Sequence, residues 1–355
     1  MPELELTAAT VMLVSLIGYA VLGGADFGAG VWDLLATGPR RGRQREVIAD
    51  AIGPIWEANH VWLILVIVVL FTGFPRAFSV IMTALHIPVT IMLVGIVLRG
   101  ASFVFRAYDS PEDRVQRRWG RVFAISSTIT PIMLGAIIAG ISSGEIELED
   151  GFVMSGWFNA WLGVYPLAVG GLTLALFAYL AAIFLTVETV GKPDLQEDFR
   201  RRALLAAVAL GGFAFLVALL VAGDHAPYLR EELFASWWSW PLQIATGTIA
   251  VGAIAALLTR WFFLARTLAV IQVALILVGW GASMSPYLVV DDVRHDEAAA
   301  PDITLHLMLG ALAVGSLILF PSLYYLYRIF KGRQAFVLID LKGEFRASPA
   351  DPVDG

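Results

Sequence analysis

Residues 7–35 read TAATVMLVSLIGYAVLGGADFGAGVWDLL, with Asp26 and Asp33 as the only charges. About 20 apolar residues in a helix cross the roughly 30 Å hydrocarbon core of a bilayer, so this stretch predicts a membrane span. The pattern returns along the chain, and nine spans are expected: 7–35, 54–72, 78–106, 120–142, 158–189, 201–222, 240–259, 265–285 and 303–330. Composition agrees, with 58% hydrophobic and 15% charged residues against about 45–50% and 25% in soluble domains. The expected fold class is all-α: a polytopic membrane protein, one integral-membrane domain over 1–355, with a polar cytoplasmic tail over 331–355.

Charge gives the direction. With the N-terminus outside, 20 of the 24 Lys and Arg fall in cytoplasmic segments: Arg40, Arg41, Arg43 and Arg45; Arg106, Arg114, Arg117, Arg118 and Arg121; Lys192, Arg200, Arg201 and Arg202; Arg260 and Arg266; Arg328, Lys331, Arg333, Lys342 and Arg346. Outer loops hold only Arg76, Arg230 and Arg294, and Arg99 lies within a span. Short cytoplasmic loops retain Lys and Arg, so the expected topology is N-out and C-in. The opening MPELELTAAT carries Glu3 and Glu5 where a secretory leader needs basic residues, so the first run is expected to remain as a span. Trp237, Trp238 and Trp240 and, at the other level, Tyr324, Tyr325 and Tyr327 fit interfacial belts. They are expected to have no chemical role.

The chain has no cysteine, which excludes disulfides, iron–sulfur clusters and thiolate-ligated metals. No basic patch interleaved with aromatics suggests nucleic acid. The informative residues are the polar ones inside spans, since a charge at mid-bilayer costs about 2.5–3.5 kcal/mol on insertion scales. These are Asp26, Glu57, His60, His86, Arg99, Glu188 and His306. Tyr19, Gly23, Asp26, Gly30 and Asp33 follow at steps of four and three and share one helical face. Gly24 and Gly28 form a small-xxx-small step that admits a second helix. In IGPIWEANHVW, Pro54 suits a first helical turn, Glu57 follows in the favourable field of that helix end, and Trp56 and His60 project nearby. Asp26, Glu57 and Arg99 then share the inner half of the membrane. They fit either a structural ion network or a proton-uptake site that includes His60.

Five segments together resemble subunit II of cytochrome bd-type quinol oxidases: GADFGAGVWDLL (24–35), IGPIWEANHVWLI (52–64), FPRAFS (74–79), VLRGASFVFR (97–106) and GASMSPYLVV (281–290). The most specific is the run from Trp56 to Ile64, and the likeness extends from the first span to the ninth. The resemblance implies two four-helix bundles plus a peripheral helix, and a complex in the bacterial inner membrane that oxidises quinol and reduces dioxygen to water. It implies that b-type haems and haem d are ligated by a partner subunit I, so that no catalytic residue and no metal site is expected on this chain. A small single-span subunit, and in some members a structural quinone, accompany the pair. An acid aligned with Glu57 helps bring cytoplasmic protons to the haems; some members have Asp there, and Gln at the position of His60. The proton-path candidates are therefore Glu57, Asp26, His60 and Arg99. Trp56, Asn59, Gly24 and Gly28 are candidates for helix packing or the subunit interface.

Two other functions share the composition. A secondary transporter would show helices broken near the midplane in matching halves. A haem-binding cytochrome would use His86 and His306 as axial ligands.

Overall fold

The computed structural model describes residues 2–53, 55–108 and 113–335, and side chains over 4–53, 55–105 and 118–330. Pro54 and the tail beyond 335 lie outside the described residues, as do the side chains of Arg106, Arg114, Arg117, Lys331 and Arg333. Every backbone amide in hydrocarbon must find its partner within the protein, and this chain does so almost wholly in helices. They are α1 (Pro2–Leu34), α2 (Arg41–Ile52), α3 (Trp56–Gly73), α4 (Pro75–Ala84), α5 (His86–Tyr108), α6 (Asp113–Ser142), α7 (Val164–Glu188), α8 (Pro193–Ala222), α9 (Pro227–Arg230), α10 (Ser239–Leu258), α11 (Phe262–Met284), α12 (His295–Ala298) and α13 (Asp302–Ala335). Two short antiparallel hairpins cap one end: β1 (Leu148–Glu149) with β2 (Phe152–Val153), and β3 (Tyr287–Val289) with β4 (Val293–Arg294).

Among the described residues, nine helices are long and apolar enough to cross a membrane: α1, α3, α5, α6, α7, α8, α10, α11 and α13. The first four form one bundle, with α1 against α3 and α6 and α5 against α6. The next four form the second, with α7 against α8 and α11, and α10 against α11. The bundles join along α1 and α7, and α13 lies outside them on α3 and α1.

Glycine sets the joint. A Cβ on Gly28 would stand 1.9 Å from the carbonyl oxygen of Phe177, and one on Gly24 would stand 2.5 Å from the Phe177 ring. Trp32 Nε1 donates to the Ala178 carbonyl at 2.7 Å beside them. The Gly24/Gly28 face thus packs within the chain, on α7.

Three expected boundaries are corrected. The span expected over 78–106 is two helices, α4 and α5, parted at Leu85. Pro88 explains the break: it has no N–H to offer the carbonyl of Ala84, and its ring crowds that carbonyl. The span expected over 158–189 becomes helical only at Val164, after Gly163. The span expected from 201 begins at Pro193, a first-turn proline. Its added turns carry Glu197 bonded to Arg200 and Arg201 at 2.8 and 3.1 Å, pairs that suit helical spacing. The helix α2 was not foreseen; Val47, Ile48 and Ile52 bury one side of it.

Candidate functional site: a buried polar cluster at one end of the first bundle

Asp26 lies on α1 eight residues before the helix ends, and only 4% of it is exposed. A buried carboxylate requires donors and an opposite charge. Asn59, on the first turns of α3 and 1% exposed, supplies one donor: its Nδ2 reaches Asp26 Oδ2 at 2.7 Å. Arg99, from the middle of α5 and also 1% exposed, supplies the opposite charge. Its guanidinium carbon stands 4.7 Å from the centroid of the Phe27 ring and 5.4 Å from that of Phe123. Ring faces attract a cation and add to its stabilisation where water is excluded.

Two tyrosines close the cluster. Tyr19 is fully buried on the α1 face that carries Asp26, and it lies over Gly23, where a Cβ would meet its ring at 2.7 Å. Tyr327 comes from α13, and its hydroxyl donates to Asn59 Oδ1 at 2.5 Å. Tyr327 is therefore more than an interfacial aromatic, as the sequence had suggested; it is part of the cluster. Its electrostatic neighbours are Asp26 and Arg266 of α11, and Arg266 in turn neighbours Glu188 at the end of α7.

His60 is half-buried in an aromatic box. Its ring centroid lies 5.9 Å from those of Tyr19 and Phe27 and 6.1 Å from that of Trp56. Both ring nitrogens lack a hydrogen-bond partner among the described residues. Trp56 also packs near Phe103, 6.1 Å between centroids, and against Gly100. Asp33, further along the α1 face, meets Arg45 of α2 at 3.9 Å.

Glu57 stands apart. It is exposed on the first turn of α3 and is not among the groups acting on Arg99. Helix geometry explains this: two residues turn the helix by about 200°, so Glu57 points away from the face on which Asn59 meets Asp26. The expected network of Asp26, Glu57 and Arg99 is corrected to Asp26, Arg99, Asn59 and the two tyrosines. Asn59, read as a packing residue, is the hub of that network. His86 and His306 are exposed, each with Nδ1 at 2.9 or 2.8 Å from a carbonyl of the adjacent turn, that of Thr83 or Asp302. Among the described residues, no group of three or more His, Asp or Glu is placed to hold a metal.

Comparison with known proteins agrees with this architecture. The family profile described as "Cytochrome bd terminal oxidase subunit II" matches residues 4–330. A "Putative cytochrome bd menaquinol oxidase subunit II" of Bacillus subtilis (strain 168) is 25% identical over 337 residues, covering 90% of this chain and 93% of the relative. The "Cytochrome bd-I ubiquinol oxidase subunit 2" of Escherichia coli (strain K12) is 24% identical over 332 residues, 83% of this chain and 86% of the relative. In "The structure of bd oxidase from Geobacillus thermodenitrificans", a chain 23% identical to this one superposes with a TM-score of 0.78 over 92% of this chain and 98% of that one, which shows a common fold. With the profile spanning all nine membrane helices, the chain belongs to the cytochrome bd terminal oxidase subunit II family.

Proposed function

We propose that this chain is the haem-free second subunit of a respiratory oxidase that transfers electrons from quinol to dioxygen and forms water. In this reading it supports assembly of a haem-bearing subunit I and takes part in delivering cytoplasmic protons to it. The observation that carries the proton role is the hydrogen-bonded chain Asp26–Asn59–Tyr327 with Arg99, in which Asp26, Asn59 and Arg99 are buried. It lies towards the end of the helices at which Arg40, Arg45, Lys192 and Arg200 also stand. That basic end is read as cytoplasmic, with N-out and C-in, in a bacterial inner membrane. The hairpins at the other end carry Glu145, Glu147, Glu149, Asp150, Asp291 and Asp292.

Dioxygen reduction consumes protons, and a carboxyl group can pass them on only if it gains and loses one. Glu57 presents its carboxyl on the exposed side of α3, where it can take a proton from water at the membrane surface or face a partner subunit. His60 lies nearly one turn further along the same helix and Asp26 inside, held against Arg99. A relay of this kind needs groups within hydrogen-bond reach or linked by water.

Among the described residues, three histidines are poor candidates for haem ligands. His86 and His306 occupy exposed helix ends, and His60 is boxed by three aromatic rings. The bundle interiors are filled by side chains such as Phe123, Phe177, Tyr179 and Leu180. This supports placing b-type haem and haem d on subunit I and disfavours a self-sufficient cytochrome. A small single-span subunit and a structural quinone belong to the same proposal.

The test is Glu57→Gln in the assembled oxidase, with oxygen consumption measured per haem and haem measured per cell. The expected outcome is normal assembly with turnover lowered about tenfold or more, the loss growing as pH rises and protons become scarce. Unchanged turnover per haem from about pH 6 to 9 would remove Glu57 from the proton path.

A further inference from the structure

Asn59 joins two side chains that the linear sequence keeps far apart. Its Nδ2 donates to Asp26 Oδ2 at 2.7 Å, and its Oδ1 accepts from the Tyr327 hydroxyl at 2.5 Å, across a separation of 268 residues. A side-chain amide has one accepting and one donating end, and their placement follows from the partners. An ionised Asp26 can only accept, so the amide must turn its NH2 towards Asp26 and its carbonyl towards Tyr327.

A proton on Oδ2, the Asp26 oxygen that faces Asn59, reverses the requirement at that contact, whereas one on Oδ1 leaves it as it is. The O–H at Oδ2 is a donor, and the group best placed to accept it is the Asn59 carbonyl, once the amide has turned by half a rotation. The NH2 then faces Tyr327, whose oxygen can accept. Of the two partners, Tyr327 is the one that can serve both positions without itself gaining or losing a proton, because a hydroxyl donates or accepts as needed.

We infer that Tyr327 of the peripheral ninth span is a positioning residue for proton uptake: it holds the Asn59 amide in either of two orientations and lets Asp26 gain and lose a proton without stranding a buried polar group. The inference rests on the proton-uptake reading above and deepens it. The proton balance closes within the cluster. One proton binds at an Asp26 carboxylate oxygen and the same proton leaves from it, while Asn59 and Tyr327 exchange only hydrogen bonds. The charged and titratable groups around Asp26 are Tyr19 on its own helix, His60 on α3, Arg99 on α5 and Tyr327 on α13, with Arg266 of α11 beyond Tyr327. From α6 the cluster meets the ring of Phe123. An unsatisfied buried amide is costly, so replacing Tyr327 by Phe penalises each turn of the amide.

A purely structural role would be to fasten α13 to α3. That task is shared along the helix: Trp62 meets Phe320 at 6.3 Å between centroids, Met308 and Leu305 pack on Gly73, and the Ala300 amide donates to the Gly73 carbonyl at 2.8 Å. Loss of one hydroxyl leaves these contacts in place.

The experiment compares Tyr327→Phe and Glu57→Gln with the unmodified oxidase, each as the intact complex. Oxygen consumption per haem is recorded against pH in H2O and D2O, together with haem per cell. The expected result for Tyr327→Phe is near-normal haem per cell, turnover per haem reduced about three- to tenfold, the size of one hydrogen bond, a displaced pH profile and a larger solvent isotope effect. Unchanged turnover and pH profile in Tyr327→Phe, beside a slowed Glu57→Gln, would overturn the role of Tyr327 and leave proton uptake through this end standing. Unchanged behaviour in both variants overturns the uptake reading and this inference together. If Tyr327→Phe yields no complex, Tyr327→Trp decides, since an indole N–H donates but cannot accept. An assembled Tyr327→Trp oxidase with lowered turnover and a moved pH profile supports the inference, and one with both unmoved overturns it.

Discussion

In the first bundle a carboxylate and a guanidinium lie inside: Asp26 and Arg99 are both nearly fully buried, with Asn59, Tyr19 and the rings of Phe27 and Phe123 around them. In the second bundle the interior is Phe177, Leu180, Ile183 and Val273, while its charged groups stand at the helix ends. Arg200, Arg201 and Arg260 meet Glu197 there, and Arg40 meets Asp198. Arg202, near the same end, bonds Gln44 and lies over the rings of Trp32 and Phe199. Charges at helix ends keep much of their hydration and cost little. A pair enclosed in a bundle loses that hydration, and replacing it by apolar side chains is often neutral or stabilising. The first bundle thus retains a feature that stability alone does not require, and the second is a scaffold against which it is held.

The largest expected effect tests whether the second bundle is that scaffold. Gly28→Ala places a methyl group 1.9 Å from the Phe177 carbonyl, and backbone cannot yield as a flexible side chain does. Overpacking costs about 1–3 kcal/mol and sometimes more; at this joint the expected outcome is little or no assembled oxidase, read as haem per cell. Normal yield would mean that the bundles do not meet along α1 and α7.

Next is the buried pair itself. Arg99→Leu leaves Asp26 without its opposite charge and is expected to cost about 3–5 kcal/mol. The double variant Arg99→Leu with Asp26→Asn should recover much of the loss, because no lone charge remains. Thermal inactivation of the purified complex measures both, and equal losses in the single and double variants would show that the two side chains are not energetically coupled.

The corresponding change at the second bundle is far smaller. Arg40→Ala breaks the bidentate contact with Asp198, at 2.8 and 2.6 Å, but the Arg40 side chain is 43% exposed. Water screens such a pair, and little change in assembly or thermal inactivation is expected. Loss of assembly in this variant would place important charge in the second bundle after all.

The smallest effect lies outside both bundles. Burial, with Asp291 and Glu147 nearby, pushes the Asp292 carboxyl above its ordinary range in the turn between β3 and β4. The sign follows: the folded protein binds this proton more tightly than the unfolded chain, so ionisation at neutral pH opposes folding. Asp292→Asn should therefore raise the apparent melting temperature slightly at pH 7, and the gain should vanish below about pH 4, where both states are protonated. A gain that is the same at both pH values would attribute the effect to something other than titration.

The sequence by itself determined the nine spans, because apolar length in a bilayer admits few structures. It also marked Asp26, Glu57 and Arg99, since charges within spans are rare and costly. The breaks were partly legible. Pro88 and Gly163 are visible in the chain, but only the packed structure shows that the first divides a helix and the second starts one. Tertiary structure alone decided which charges meet. Glu57 and Asn59 are two residues apart and any helix turns them to opposite sides, but which of the two meets Asp26 is set by packing of α3 on α1. Tyr327 resembled any other interfacial aromatic until α13 brought its hydroxyl to Asn59. Composition records how much of a chain lies in lipid, whereas a contact across 268 residues depends on which faces the helices turn towards one another.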